Sequence, residues 1–132
     1  MQPDPDKLRF FAELYTAAWC SQDAESVAAF YSPDGSLTVN EGTPALGRAA
    51  ITQTAQSFMT EFPDLQVVMD ELLVREDHAE YHWTLTGTNT GPSGKGKSVR
   101  ITGFEVWKFG PDRLIFSSQG HFDADDYNRQ LL

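Results

Sequence analysis

Apolar residues follow a helical period through the first half of the chain and a strand period through the second. Leu8, Phe11, Tyr15, Ala18 and Trp19 recur on one helical face after start signals at Pro3, Asp4 and Pro5, which predicts a first helix ending near Cys20. Asp23 is placed to cap a short second helix whose stripe is Val27, Phe30 and Tyr31, and "SPDG" is expected to stop it. Leu37 and Val39 then alternate with Ser36, Thr38 and Asn40 as a strand. Beyond "EGTPALG", Ile51, Ala55, Phe58, Met59 and Phe62 write a third helix, which Pro63 and Asp64 end.

From Leu65 the period changes to two. "LQVVMDELLV" and "AEYHWTLTGT" are joined by "REDH" as a hairpin. The loop "TGPSGKGK" leads to "SVRITGFEVWKF", and "GPDR" turns into "LIFSSQGHF". "DADDYNRQLL" is expected to form a terminal helix capped by Asp123. The order implies an α+β domain over 1–132, with a curved antiparallel sheet packed on three helices.

Alternation assigns faces. Val99, Ile101, Gly103, Glu105, Trp107 and Phe109 point one way, and Arg100, Thr102, Phe104, Val106 and Lys108 the other. On the last strand the same rule sets Leu114, Phe116 and Phe122 opposite Ile115, Ser117, Gln119 and His121. Large apolar residues stand on both faces, so a second cover is expected over the back of the sheet, and another copy of the chain supplies the simplest one. Trp83 shares a face with Tyr81 and Leu85 as core and pocket wall, while His82, Thr84 and Thr86 face away. Glu105 is the anomaly, a carboxyl in the middle of an apolar stripe.

The charge narrows the partners. Nineteen acidic against ten basic residues give −9, which repels phosphate backbones and anionic lipid and favours a small hydrophobic molecule over nucleic acid or membrane. No apolar run has signal-peptide or membrane-spanning length, so a soluble, cytoplasmic protein is expected. Cys20 is the single cysteine, and His78 and His82 are four apart on a strand rather than a helix, so no metal site is expected. "TGPSGKGK" lacks the spacing and the strand-to-helix context of a phosphate loop.

Three stretches carry a resemblance that covers nearly the whole chain: "YTAAWCSQDAESVAAFYSPDG", "FPDLQVVMDELLVREDHAEYHWTLTGTNTG" and "ITGFEVWKFGPDRL". Their order is similar to that of the nuclear transport factor 2-like superfamily, specifically its SnoaL-like polyketide cyclase and ketosteroid isomerase-like members. The resemblance implies a cone, with a pocket between the curved sheet and three helices. Ketosteroid isomerases pair an acid with a tyrosine as donors to a developing enolate. Here the matching positions are Glu105 and Tyr15. A carboxyl among Ile101, Trp107 and Phe109 loses hydration of its charged form, which raises its pKa and suits it to donate a proton. The alternative is a carboxylate paired with a cation or wetted at the cone's mouth. Tyr15 has its own alternative as a core residue.

A proton-transfer enzyme also needs a base. The isomerase's base position falls on Val39, and only a shifted register brings Asn40 or Glu41 there. The aspartate that SnoaL-type cyclases carry on the last strand is matched by the triplet Ser117, Ser118, Gln119, and Gln119 binds oxygen without titrating. His121, an imidazole on the same predicted face as Gln119, is a candidate proton carrier at the pocket mouth, or else a solvent-facing or capping residue. Candidate catalytic residues are therefore Tyr15, Glu105, Glu41 and His121, and candidate substrate contacts are Trp19, Val39, Asn40, Phe58, Trp83, Trp107 and Gln119. The Asp-Arg-Asp set of limonene epoxide hydrolases, which share the implied fold, is not matched, because Arg100 points outward and Thr102 stands where an aspartate is needed. The expected function is a cofactor-free isomerase or cyclase acting on a hydrophobic carbonyl compound. The alternatives are a non-catalytic pocket for a hydrophobic metabolite and a protein-interaction scaffold.

Overall fold

The computed structural model describes residues 4–92 and 94–132; Pro3, one of the expected start signals, and Ser93 of the glycine-rich loop lie outside them. Helix α1 (Pro5–Cys20) starts where the Asp4 side chain accepts from the Asp6 amide at 2.9 Å and Pro5 supplies a preset φ. It buries Leu8, Ala12, Tyr15, Ala18 and Trp19. Helix α2 (Ala24–Ala28) is capped by Asp23, as expected. Strand β1 (Tyr31–Val39), the two-residue β2 (Ala45–Leu46) and helix α3 (Gly47–Glu61) follow. Strands β3 (Gln66–Val74), β4 (Ala79–Asn89), β5 (Lys97–Phe109) and β6 (Ile115–Phe122) complete the sheet, and α4 (Ala124–Gln130) closes the chain. Among the described residues no helix is long and apolar enough to cross a membrane.

The strands lie in the order β2-β1-β6-β5-β4-β3. All pairings are antiparallel except β1 with β6, which run parallel, so the sheet is mixed rather than purely antiparallel. "SPDG" does not stop a helix. It lies inside β1 as an irregularity between Tyr31 and Ser36, and Tyr31 opens that strand instead of closing the helical stripe. Gly35 sits at this irregularity because a Cβ there would come within 2.8 Å of the Ile115 carbonyl oxygen. β2, within the expected "EGTPALG" loop, was not apparent from a two-residue pattern.

On β5 the alternation holds, with Val99, Ile101, Glu105 and Trp107 buried and Arg100, Thr102 and Lys108 exposed. On β6 it does not. The register with β5 shifts between Lys108 and Phe109, so Phe116 is an extra residue, half in solvent, and the parity of the strand reverses beyond it. Ile115 is fully buried, and Ser118, Gly120 and Phe122 join the inner face. The expected grouping of Ile115 with Gln119 and His121 is thereby corrected: Gln119 pairs with Val106 and His121 with Phe104, both on the outer face.

Two rows of paired residues then cross the sheet. The inner row runs Val39, Gly120, Glu105, Tyr81, Leu72. The outer row runs His121, Phe104, His82, Glu71, with the Phe104 ring centroid 4.9 Å from His121 and 5.3 Å from His82. Phe104 and Val106 remain half-buried in the single chain, with Val68 and Phe116 exposed. β5 outruns β6, and Gln130 of α4 takes over where pairing ends, accepting from the Arg100 amide at 2.7 Å and donating to its carbonyl at 3.0 Å.

Gly103 is where the inner face depends on the absence of a side chain. A Cβ there would fall 2.6 Å from Cζ2 of Trp83 and 2.3 Å from the His121 carbonyl oxygen, so the indole lies flat across the strand only over glycine. Gly103→Ala is expected to destabilise the fold by about 1–3 kcal/mol through this overlap. Urea denaturation measures it, and an unchanged midpoint would show that the contact is slack.

Candidate functional site

Glu105 is drawn inward by β5 parity and is 8% exposed. Three donors converge on a single oxygen, Oε1: the Ser118 hydroxyl at 2.7 Å, Trp107 Nε1 at 2.8 Å and the Tyr15 hydroxyl at 3.0 Å. Tyr31 stands behind them, its hydroxyl 2.9 Å from that of Tyr15. Each donor comes from a different constraint. Trp107 is two residues along the same strand and is held by stacking on Tyr81, with centroids 4.7 Å apart. Tyr15 projects from the buried face of α1 against the edge of Trp107, at 5.1 Å. Ser118 reaches the inner face because of the extra residue at Phe116.

An indole N–H only donates. Oε1 therefore accepts from Trp107 in either protonation state, and with three donors already converging on it the less crowded seat for a proton is Oε2. Burial raises the pKa of Glu105 above its ordinary value, while the hydrogen bonds from Trp107, Ser118, Tyr15 and Tyr31 pull it down. Burial wins. Tyr15 and Tyr31 are pushed well above the usual phenol range, first by burial and next by the neighbouring Glu105 charge, so both remain neutral donors.

Glu105 lines a cavity of about 70 Å³ whose other walls are apolar, among them Trp19, Val39, Phe58, Ile101, Trp83 and Phe122. Gly120 lies directly opposite Glu105, leaving the space in front of the carboxyl open. Tyr81 also lines the cavity, with its pKa pushed above the usual phenol range by burial and its hydroxyl bonded to Thr16. Outside lies an open depression of about 840 Å³ that includes Glu41, Asp70, His82 and His121. Trp83 and Phe122 line both spaces and form the wall between them.

Of the expected contacts, Trp19, Val39, Phe58 and Trp83 are on the cavity wall with Glu105. The others are elsewhere. Tyr15 and Trp107 are fully buried behind the carboxyl and hold it, with neither on the wall. Asn40 is tied into the frame, its carbonyl accepting from Gln119 Nε2 and its Oδ1 from the Phe122 amide, both at 2.9 Å. Gln119 spends its amide on that bond from the outer face. Glu41 and His121 belong to the outer depression and do not join Glu105 in the cavity. Sequence reasoning missed Ser118, Tyr31, Gly120 and Phe122. Only the shifted β6 register brings Ser118, Gly120 and Phe122 inward. Among the described residues no group of three or more histidine, cysteine or carboxylate side chains is placed to hold a metal ion.

A SnoaL-like domain model matches residues 11–117. The chain belongs to the SnoaL-like domain family, within the nuclear transport factor 2-like superfamily. No curated protein matches this SnoaL-like chain. Solved structures do. TsrD from Streptomyces laurentii superposes with a TM-score of 0.84 at 19% identity, over 98% of each chain. A hypothetical protein of ketosteroid isomerase-like fold from Catenulispora acidiphila DSM 44928, in complex with trimethylamine, gives 0.79 at 15% identity over 99% of this chain and 94% of that one. The epoxide hydrolase/cyclase-like enzyme SalBIII, with a role in pyran ring formation in the polyether salinomycin, gives 0.79 at 16% identity over 93% and 95%. At these identities the likeness is one of fold.

The raised pKa of Glu105 has a signed consequence for the SnoaL-like fold. The native state holds the proton more tightly than the unfolded chain, so this contribution to stability is full below the unfolded value of 4.5 and is lost as pH rises through the folded value. Asp64, Asp77, Glu80 and Asp112 are lowered, by hydrogen bonds from Thr88, His78, His82 and Leu114 respectively, and act in the opposite sense. The difference between wild type and Glu105→Gln isolates the buried acid. Urea denaturation from about pH 4 to 8 is expected to show wild type losing stability relative to Glu105→Gln as pH rises. A constant difference would mean that the carboxyl titrates alike in both states.

Proposed function

We propose that this SnoaL-like protein is a small-molecule enzyme of the cyclase or isomerase type, in which the protonated carboxyl of Glu105 activates an oxygen of a hydrophobic substrate. One observation carries the reading: the cavity presents a single carboxyl whose Oε1 is saturated with donors, so that its proton, on Oε2, is the group offered to a guest. A neutral acid aimed at a carbonyl or ether oxygen stabilises the negative charge that develops there, in a setting where little water competes. The family and the cyclase-like and isomerase-like neighbours support the same broad class.

The base assignments of the related enzymes have no counterpart on the cavity wall. Val39 occupies one, and Gln119 faces outward. The reaction best served is therefore driven by one acid, with the nucleophile supplied by the substrate itself, as in an intramolecular ring closure. Glu105 gives its proton to the oxygen whose bond opens or polarises, and the proton shed by the nucleophile returns to the carboxylate. A second reading, a non-catalytic pocket for a hydrophobic oxygenated metabolite, is favoured by the same lack of a second carboxylate or imidazole on the wall.

Glu105→Gln separates the two. Glutamine keeps an acceptor for the three donors and puts an amide N–H where the proton stood, but it cannot transfer a proton. Against a panel of unsaturated ketones, hydroxy ketones and epoxides, turnover by Glu105→Gln is expected to fall about 10²–10⁴-fold with binding largely kept. Wild-type turnover is expected below the raised pKa of Glu105 and to be lost as pH climbs through it. Binding without turnover by wild type establishes the non-catalytic reading, and unchanged turnover by Glu105→Gln rejects the acid.

A further inference from the structure

The wall between cavity and depression holds an unpaired donor. Trp83 Nε1 is buried and finds no hydrogen-bond acceptor among the described residues, although the ring contacts Phe122 at a centroid distance of 6.2 Å. A buried N–H without a partner is destabilising, and the fold has no local remedy: Trp83 is flattened against Gly103, where a larger residue would not fit. The pairing of Tyr81 with Glu105 and of Trp83 with Gly103 makes Trp83 and Glu105 diagonal neighbours on the inner face, about 7–8 Å apart along the backbone. The inner cavity, at about 70 Å³, falls well short of the roughly 300 Å³ at which small-molecule pockets begin. A guest of more than a few heavy atoms that reaches Glu105 must therefore displace part of the wall, and Trp83 and Phe122, which also border the outer depression, are the wall residues whose movement would join the two spaces and uncover Nε1.

We infer that Trp83 Nε1–H is the second polar anchor of the site, and that the substrate carries two acceptor oxygens a few bonds apart, the inner one for Glu105 and the outer one for Trp83. This rests on the reading of Glu105 as the inner donor. The chemical class so selected is a hydrophobic molecule with paired carbonyl, ether or hydroxyl oxygens. A hydrocarbon-like monoketone satisfies only half of the site.

The test compares benzylacetone with its β-methoxy derivative, which adds one acceptor to the same skeleton, by calorimetric titration of wild type, Trp83→Phe and Glu105→Gln. Wild type is expected to bind the methoxy ketone about tenfold more tightly, and Trp83→Phe to erase that preference while binding benzylacetone as before. In wild type the indole N–H proton resonance of Trp83, assigned by its absence in Trp83→Phe, is expected to move downfield with the methoxy ketone and not with benzylacetone. Equal binding of the two ketones by wild type, or an equal loss for both in Trp83→Phe, overturns the inference. So does a wild-type spectrum in which none of the three indole N–H resonances moves with the methoxy ketone alone, an observation that needs no variant to fold. Glu105→Gln, which keeps an N–H donor, is expected to bind both ketones largely as wild type does. If the carbonyl stretch of the protonated Glu105 carboxyl, assigned by its absence in Glu105→Gln, stays put when either ketone binds while the Trp83 preference persists, the Glu105 reading fails and the Trp83 anchor stands. If wild type binds neither ketone, both fail.

Discussion

Three donors on one carboxylate oxygen form the interaction on which the site depends. A carboxyl taken out of water resists ionisation, and hydrogen bonds to it oppose that resistance. Here Trp107, Ser118 and Tyr15 all choose Oε1, which fixes the carboxyl in one orientation and separates its oxygens by role. One is structural. The other stands outside this clamp and carries the proton in the function proposed above. Removing a donor would leave a buried acceptor short of a partner, so the clamp ties the acid's chemistry to the packing of α1, β5 and β6 together.

That packing is aromatic. Tyr81 and Trp107 stack, Tyr15 meets Trp107 edge to face, and Phe11 joins Trp107 and Phe109 at 5.8 and 5.6 Å. Flat rings with few rotatable bonds hold polar tips at fixed points, which suits them to aim hydroxyl and indole donors at a target of atomic size. In front of the carboxyl the sheet does the opposite and removes bulk. Gly120 and Gly103 leave the hollow and the bed for Trp83. Rigid donors thus stand behind the acid, and missing side chains leave space before it.

Much of this was legible in the sequence. Helical spacing in α1 and period two in β5 located Tyr15 and Glu105 on buried faces, and the stretch "ITGFEVWKFGPDRL" contained the acid and one of its donors. What could not be read was anything that depends on a one-residue irregularity. The extra residue at Phe116 reverses β6, exchanging Gln119 and His121 for Ser118 and Gly120 on the inner face, and no local composition announces it. The same holds for "SPDG", whose turn residues read as a stop although β1 absorbs them while running beside β6. Parity arguments are secure along β5 and fail at the first bulge, because side-chain direction is cumulative along a strand.

The protonation of Glu105 is the point from which the chemistry is derived, and infrared spectroscopy observes it without a substrate. In the difference spectrum of wild type minus Glu105→Gln, recorded across a pH titration, the carbonyl stretch of a protonated carboxyl is expected to persist above the ordinary glutamate value of 4.5. A band that gives way to carboxylate at or below that value would contradict a neutral acid in the cavity.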